Sequence, residues 1–317
     1  MKLSGKSVLV TGGIGFVGNR LAEMLLRKKA RVTISVHVNK TSSRKKGKKA
    51  RFIEADLSKK LDSRLFEGFE VVFHFASFVP KRRGRGSDSS KKAFLHNVLA
   101  TKNLLQALER NKNCKQLVFA STGEVYGIPR NVPLSEEAIP KPLSNYAKSK
   151  LVAEKLVLQF GRRYGLPVSV LRFTTLYGPE DYSTKAIPSF TRAAVQGKPL
   201  FVSGSGNQKR DYLFVDDAAR AAILACEKRA NGIFNIGSSR PITIRELANL
   251  ILNFSKSKSL VLHTEHRKRE LDLYLDSRKA EKEIGFAPQT TLENGLKKVL
   301  AWTRTRKTLM PARHYSH

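Results

Sequence analysis

Tyr146 and Lys150 stand four residues apart in the stretch NYAKSK, and on a helix this spacing places both side chains on one face. A free tyrosine side chain has a pKa of about 10 and is a poor base at neutral pH. An ammonium group beside it stabilises the phenolate and lowers that pKa. Such a pair can remove the proton of a hydroxyl group while a nicotinamide takes the hydride. The spacing is common by chance, so two surface residues on a basic helix are the alternative.

A pair of hydroxyl side chains precedes this helix. Ser121 and Thr122 follow the apolar stretch KQLVFA, which predicts a strand, so both lie at its carboxyl end. Ligands bind at this edge in open α/β sheets. A hydroxyl group there can hydrogen-bond the reacting oxygen and pass its proton to Tyr146. The alternative is that the hydroxyl groups only cap the strand.

The stretch TGGIGFVG predicts a phosphate-binding turn. Gly12, Gly15 and Gly18 lie between an apolar strand and a helix at the start of a βαβ unit. In this setting glycines allow a tight turn, a close approach to a pyrophosphate and close packing of the helix on the strand. The amino end of the helix faces the phosphates with its amide groups and its positive dipole. The alternative is a turn shaped only by packing.

The end of the second predicted strand bears on the choice between NAD and NADP. A free 2′-hydroxyl on the ribose calls for an acidic residue here, but the chain reads ISVHVNK, with His37 and Lys40 followed by Arg44 and Lys45. Cationic side chains suit a 2′-phosphate, so NADP remains possible. Asp56, after the third strand, is a candidate adenine contact, or a cap for the next segment.

Strands and helices alternate through the first half of the chain. Apolar runs such as KSVLVTG, ARVTISVHV, FEVVFHFAS and LPVSVLRF are separated by stretches with helical spacing, which predicts a doubly wound parallel sheet of the Rossmann type. After residue 173 turn-forming stretches separate shorter elements. We expect an NAD(P)-binding domain over 1–173, a smaller substrate-binding lobe over 174–305 with segments returning to the sheet, and a flexible tail over 306–317.

The composition is strongly basic. The 317 residues include 59 Lys and Arg against 26 Asp and Glu, a net charge of +33 that attracts polyanions. The densest runs, 40–49, 81–92 and 266–269, contain no interleaved aromatic residues, so nucleic-acid contact is expected to be non-specific and a solvated surface is favoured. No apolar run reaches the roughly 18 residues of a membrane span, and no signal peptide is expected. Two cysteines indicate neither a disulfide framework nor a metal site, and a cytoplasmic protein is expected.

Taken together, these motifs resemble the extended short-chain dehydrogenases/reductases, in the branch of nucleotide-sugar epimerases and dehydratases. The resemblance covers about residues 6 to 300. It is carried by VTGGIGFVG, VVFHFAS, LHNVLATKNLLQA, FASTGEVYG, NYAKSKLVAEKLV, LRFTTLYGP, GSGNQKRDYLFVDDAARA, GIFNIGSS and LDSRKAEKEIGF. It implies tightly bound NAD, a nucleotide-diphosphate sugar as substrate, and a homodimer formed through the Tyr–Lys helix and the helix over 93–111.

The resemblance also assigns site residues. It implies three sets: catalytic Thr122, Tyr146 and Lys150, with Glu124 as a further acid–base candidate; cofactor-binding Gly12, Gly15, Phe16, Val17, Gly18, Asp56, Leu57, Ala76, Asn97 and Lys150; and substrate-binding Ser77, Thr175, Arg210 and Arg269. Arg210 would bind the diphosphate. Arg267 competes with Arg269 for the place of a second arginine.

The residues after Thr122 bear on the reaction. Family members that dehydrate the sugar have an acid–base pair there, whereas this chain has Gly123 and Glu124. The resemblance therefore disfavours dehydration, and the same difference weakens the case for a decarboxylase. Thr175 stands where many members have Asn, and some uronic-acid epimerases have Thr. The resemblance therefore implies a nucleotide-sugar 4-epimerase of the UDP-glucose/UDP-galactose type. A 4,6-dehydratase, a UDP-glucuronate epimerase or decarboxylase, an NADP-linked reductase and a non-catalytic RNA-binding or sensor relative remain as alternatives.

Overall fold

The computed structural model describes residues 1–37, 49–79, 87–129, 131–265 and 271–307. Its strands are β1 (Ser7–Thr11), β2 (Arg31–Val36), β3 (Arg51–Glu54), β4 (Val71–His74), β5 (Gln116–Thr122), β6 (Val168–Phe173), β7 (Thr175–Tyr177), β8 (Leu200–Ser203), β9 (Lys209–Arg210), β10 (Tyr212–Phe214), β11 (Gly232–Ile236), β12 (Ile242–Thr243) and β13 (Val261–Thr264). Its α-helices are α1 (Phe16–Arg27), α2 (Ser87–Leu108), α3 (Asn145–Tyr164), α4 (Ala186–Gln196), α5 (Val215–Glu227), α6 (Ile244–Ser255), α7 (Arg278–Ile284) and α8 (Leu292–Lys307).

Seven strands form one parallel sheet in the order β11-β6-β5-β4-β1-β2-β3. The chain runs outward from β1 to β3, returns to β4 beside β1, and then runs outward the other way. The strand order therefore reverses between β1 and β4, which is where ligands bind in such sheets. This topology confirms the predicted Rossmann-type sheet.

The sheet is covered on both faces, which explains why its strands are almost wholly apolar. Successive residues point to opposite sides: Val8 and Val10 pack in the cluster that includes residues of α1, α5 and α7. Leu9 packs in the cluster that includes residues of α2 and α3. The sheet thus lies in the middle of a three-layer core.

The remaining strands form three pairs outside the main sheet: β7 with β10, β8 with β13, and β9 with β12. Residues of α4, α6 and α8 surround a separate apolar cluster here, which includes Tyr177, Phe190 and Leu200. The sequence patterns did not indicate α5, α7 or α8. Helix α5 returns the chain to the main core before β11 pairs with β6.

Within the described ranges, no helix combines the length and apolar character required to cross a membrane. The predicted tail over 306–317 overlaps the end of α8, and residues 308–317 lie outside the described ones. Most of the basic runs 40–49, 81–92 and 266–269 also lie outside them.

Candidate active site

The glycine turn has a geometry that only glycine supports. Gly12 has a φ of 71°, and a Cβ there would lie 2.6 Å from the backbone nitrogen of Ala76. A Cβ on Gly18 would lie 2.2 Å from the carbonyl oxygen of Gly12. Helix α1 starts after Gly15 with no capping side chain and no acidic residue in its first turn. The amide groups at its amino end therefore suit a pyrophosphate, so the turn fits a dinucleotide.

The carboxyl ends of β2 and β3 bring His37 and Asp56 together. The His37 ring nitrogen Nε2 lies 3.5 Å from the Asp56 carboxylate. Ser58 donates to the same carboxylate from its hydroxyl at 2.6 Å and from its amide at 3.0 Å, and these bonds lower the pKa of Asp56. Leu57 is buried in the core. The cationic residues proposed for a 2′-phosphate, Lys40, Arg44 and Lys45, lie outside the described residues.

A buried histidine at the end of β4 is linked by a hydrogen bond to Thr11, the residue before the glycine turn. His74 Nδ1 lies 2.7 Å from Thr11 Oγ1, and its Nε2 lies 3.0 Å from Thr101 Oγ1. The Ala76 amide donates to Thr11 Oγ1 at 3.2 Å. Burial lowers the pKa of His74 to about 3, so the ring is neutral at physiological pH. The motif VVFHFAS was noted in the sequence, but this role for His74 was missed.

Asn97 on α2 holds the loop after β4. Its Oδ1 accepts from the Phe78 amide at 2.7 Å and from Ser77 Oγ at 3.3 Å. Its Nδ2 donates to the Phe78 carbonyl at 3.1 Å and to Ser149 Oγ on α3 at 3.0 Å. The side chain of this predicted cofactor residue therefore makes four hydrogen bonds within the protein and positions Ser77.

Helix α3 carries Tyr146 towards that loop. Ser144 caps the helix by accepting from the Ala147 amide at 3.0 Å, so Tyr146 lies in the first turn. The Tyr146 hydroxyl lies near Ser77, which lowers its pKa, and near the Glu124 carboxylate, which raises its pKa. The structure thus joins three residues from three elements that the sequence separates by up to 69 positions.

Thr122 and Glu124 lie at the carboxyl end of β5. The Thr122 Oγ1 accepts from the Glu124 amide at 3.2 Å and caps a short 3-10 helix, Gly123–Tyr126, that the sequence patterns did not indicate. Glu124 is exposed, whereas Gly123 is buried. A Cβ on Gly123 would lie 3.2 Å from two methyl carbons of Leu275. A side chain at position 123 would therefore point into a buried apolar cluster.

Lys150 is buried beneath the site, with its ammonium 4.2 Å from the centroid of the Phe119 ring. Burial lowers the pKa of Lys150 to about 7, and the Glu154 carboxylate opposes this shift. Burial raises the pKa of Tyr146, and Glu124 raises it further. The sequence-based expectation was a tyrosine whose pKa an ammonium lowers. In the structure, the cost of burying the phenolate charge and the nearby Glu124 carboxylate set the direction of the shift.

Apart from Ser77, the predicted substrate residues lie in the part of the chain after residue 173. Thr175 begins β7 and pairs with Tyr212 of β10. Arg210 donates from Nη1 to the carbonyls of Lys209 and Leu271. Phe16 and Val17 of α1 also pack against the cluster of this half. Arg269 lies outside the described residues.

The model of the NAD dependent epimerase/dehydratase family matches residues 8–237. The chain belongs to this family. The match confirms the family predicted from the sequence motifs, and NAD is the cofactor named for that family. The residues of the glycine turn and of the α3 site all lie within the matched range.

Relatives within the epimerase/dehydratase family cover nearly the whole chain. A UDP-N-acetyl-alpha-D-glucosaminuronate decarboxylase of Bacillus cytotoxicus is 34% identical, over 94% of this chain and 98% of the relative. The solved UDP-glucose 4-epimerase of Thermotoga maritima, with UDP-glucose, is 30% identical and has a TM-score of 0.82, covering 96% of this chain and 100% of that one. A Bacillus cereus UDP-glucuronic acid 4-epimerase, with UDP-glucuronic acid and NAD, is 27% identical with a TM-score of 0.85 at the same coverage.

Proposed function

We propose that this protein is an NAD-dependent nucleotide-sugar 4-epimerase of the UDP-glucose/UDP-galactose type that acts through a transient 4-keto sugar. The observation that carries the proposal is the placement of Tyr146 near Ser77, one helical turn from a buried Lys150, with a glycine at position 123 in place of an acid. The first feature suits oxidation of a sugar hydroxyl. The second disfavours elimination of water from the resulting ketone.

The roles of the side chains follow from their positions. Tyr146 takes the proton from the sugar 4-hydroxyl, and Ser77 and Thr122 orient that oxygen by hydrogen bonds. Lys150, when protonated, stabilises the phenolate of Tyr146. NAD, when bound at the glycine turn, supplies the hydride acceptor. After the keto sugar turns its other face, the hydride returns to carbon 4 and Tyr146 gives the proton back to the oxygen, so the product carries the opposite configuration.

The geometry at Gly123 argues against a dehydratase. Elimination of a hydroxyl group needs an acid that protonates the leaving oxygen, as well as a base. Glu124 is exposed at the site and could serve as the base. Gly123 has no side chain that could act as this acid, and a side chain at this position would meet Leu275, which is 2% exposed.

The nucleotide part of the substrate is proposed to be UDP. The two 4-epimerases described above have UDP-glucose and UDP-glucuronic acid in their structures. In this chain Arg210 would bind the diphosphate, with Thr175 beside the sugar and Arg269 as the second arginine. These residues belong to the part after residue 173, which we propose as the substrate-binding lobe.

We further propose a cytosolic homodimer formed through α2 and α3. Leu95 and Leu99 lie four residues apart on α2 and are 56% and 40% exposed. A second copy of this helix would cover them. Sedimentation analysis of the wild type and of Leu95→Glu/Leu99→Glu tests the assignment, and a monomeric wild type at micromolar concentration would contradict it.

Product analysis tests the proposed reaction. The purified protein, with NAD present, is incubated separately with UDP-glucose, UDP-N-acetylglucosamine, UDP-glucuronate and dTDP-glucose. The expected product is an isomer of unchanged mass with the opposite configuration at carbon 4, identified by mass spectrometry and proton NMR.

The other outcomes separate the alternatives. Loss of water would make the protein a dehydratase and give Glu124 the central role, whereas loss of carbon dioxide would make it a decarboxylase. Net oxidation of NADPH would make it a reductase. Absence of turnover with all four sugars, in a protein that binds NAD, would contradict the proposed function.

A further inference from the structure

A large cavity in the described part of the chain lies away from the candidate active site. It has a volume of about 1210 Å³ and is lined from Ser7 at the amino end of β1, and from the starts of β2 and β3. The glycine turn and Tyr146 lie at the carboxyl edge of the same sheet. The length of β1 alone separates the two edges by roughly 13 Å.

Cationic side chains dominate the lining of this cavity. Six cations line it, Arg27, Lys29, Arg31, Lys49, Arg51 and Arg64, against two acids, Glu23 and Glu67. All six cations are exposed. They come from the end of α1, the starts of β2 and β3, and the segment before β4. We call this surface the amino-edge groove.

Within the ranges that the structure describes, most of these cations have no carboxylate partner. Arg64 pairs with Asp62 at 2.8 Å, and Glu23 pairs with Arg20 at 3.3 Å. Among the described residues, no ion pair involves Arg27, Lys29, Arg31, Lys49 or Arg51. Like charges that share one concave surface repel one another, so an anion in the groove would relieve that repulsion.

The size and lining of the groove indicate which class of anion it can bind. Pockets for small molecules are mostly apolar, with a few polar groups and volumes of about 300–1,000 Å³. This groove is larger and is lined by exposed charge. A flat bilayer surface would not fill a concave site. The only aromatic residue among those that line it, Phe69, is 7% exposed, so the groove offers no platform on which bases could stack.

We propose that the amino-edge groove binds the phosphate backbone of nucleic acid, without reading the bases. The net charge of +33 makes the whole chain attract polyanions, and the proposal assigns nucleic-acid binding to one surface of it. It does not depend on the proposed epimerase activity, because none of the groove residues belongs to the candidate active site.

The test compares two triple variants with the same loss of charge. Arg27→Gln/Arg31→Gln/Arg51→Gln removes three groove cations. Lys198→Gln/Lys256→Gln/Lys258→Gln removes three exposed cations from the opposite half of the chain, away from the groove. Binding of a labelled 20-nucleotide RNA is measured by fluorescence anisotropy between 50 and 200 mM salt. Sugar-nucleotide turnover and thermal unfolding verify that both variants fold.

The groove variant is expected to bind RNA at least about tenfold more weakly, and its slope of log K against log salt should fall by roughly 2 to 3. The control variant should change the affinity less than threefold, and homopolymers of different bases should bind alike. Equal weakening of both triples would assign RNA binding to bulk charge and overturn the proposal. So would displacement of RNA by ATP at equal phosphate concentration, or a groove variant that loses binding to anionic vesicles but keeps RNA.

Discussion

Arg172 and Glu154 form a buried bidentate ion pair beneath the candidate active site. Arg172 Nε lies 3.1 Å from Glu154 Oε1, and Arg172 Nη2 lies 2.7 Å from Glu154 Oε2. Glu154 follows Lys150 by one turn of α3, and Arg172 lies on β6. Ser121, next to Thr122 on β5, donates to the same carboxylate. The ion pair therefore joins α3 to β6, and the Ser121 hydrogen bond adds β5, so that α3 and β5, which carry Tyr146, Lys150 and Thr122, are held together with β6.

Removing one partner of this pair should be costly. Glu154→Gln leaves the Arg172 guanidinium buried with one hydrogen-bonding partner weakened, and its Nη1 already makes no hydrogen bond. We expect the free energy of unfolding to fall by about 3–5 kcal/mol. The double variant Glu154→Met/Arg172→Met should lose much less, because it leaves no buried charge. Urea unfolding measures both.

An exposed pair of similar geometry serves as the control. Arg64 contacts both carboxylate oxygens of Asp62 at the surface. Asp62→Asn should leave the free energy of unfolding nearly unchanged, because water screens an exposed pair. Equal losses for Glu154→Gln and Asp62→Asn would mean that the buried pair does not hold the three elements together.

Tyr146→Phe should abolish most of the proposed epimerase activity. The change removes the group that takes the sugar proton and leaves the packing of α3 intact, so turnover should fall by about 10²–10⁴-fold while NAD binding persists. Tyr164→Phe, at the exposed end of the same helix, is the matched control and should keep wild-type turnover. An active Tyr146→Phe variant would refute the assigned base.

Burial of Lys150 makes stability depend on pH in a defined direction. Its pKa is about 7 in the folded chain and about 10.4 when unfolded, so between these values the unfolded chain binds more protons. Stability attributable to Lys150 therefore rises as pH rises through this window. From pH 7 to pH 9 the wild type should gain about 2 kcal/mol relative to Lys150→Met, as measured by urea unfolding at each pH.

The exposed Lys155 on the same helix controls for the general loss of positive charge. The free energy of unfolding of Lys155→Met should change with pH in parallel with that of the wild type across the same range. If the free energy of unfolding of Lys150→Met also changes in parallel with that of the wild type, the ammonium of Lys150 does not have a depressed pKa in the folded chain.

Gly123→Asp should not create a dehydratase. A side chain at this position meets Leu275 within a cluster that also contains Val125 and Tyr126, so a carboxylate there would be buried without a partner. We expect a loss of about 1–3 kcal/mol in stability and no product that has lost water. Gly123→Ala should cost less, because the Leu275 methyl groups need to move by only a few tenths of an ångström. A 4-keto-6-deoxy product from Gly123→Asp would show that the position faces the sugar.

Local patterns in the sequence determined much of this protein. Short apolar strands alternating with helical stretches predicted the parallel sheet, because each strand buried on both faces must be apolar along its whole length. The spacing of Gly12, Gly15 and Gly18 predicted the phosphate turn, and the spacing of Tyr146 and Lys150 placed them on one helix. Each of these patterns is complete within about twenty residues, so it can be recognised in the sequence without the tertiary structure.

Tertiary structure alone decided the contacts and charges of the site. Gly123 contacts Leu275, which lies 152 positions further along the chain, and Glu154 on α3 pairs with Arg172 on β6. No local periodicity encodes such pairs, because they depend on how the elements pack. The direction of the Tyr146 pKa shift was decided in the same way: the sequence shows a lysine one helical turn away, but only the fold shows that burial and the Glu124 carboxylate raise this pKa.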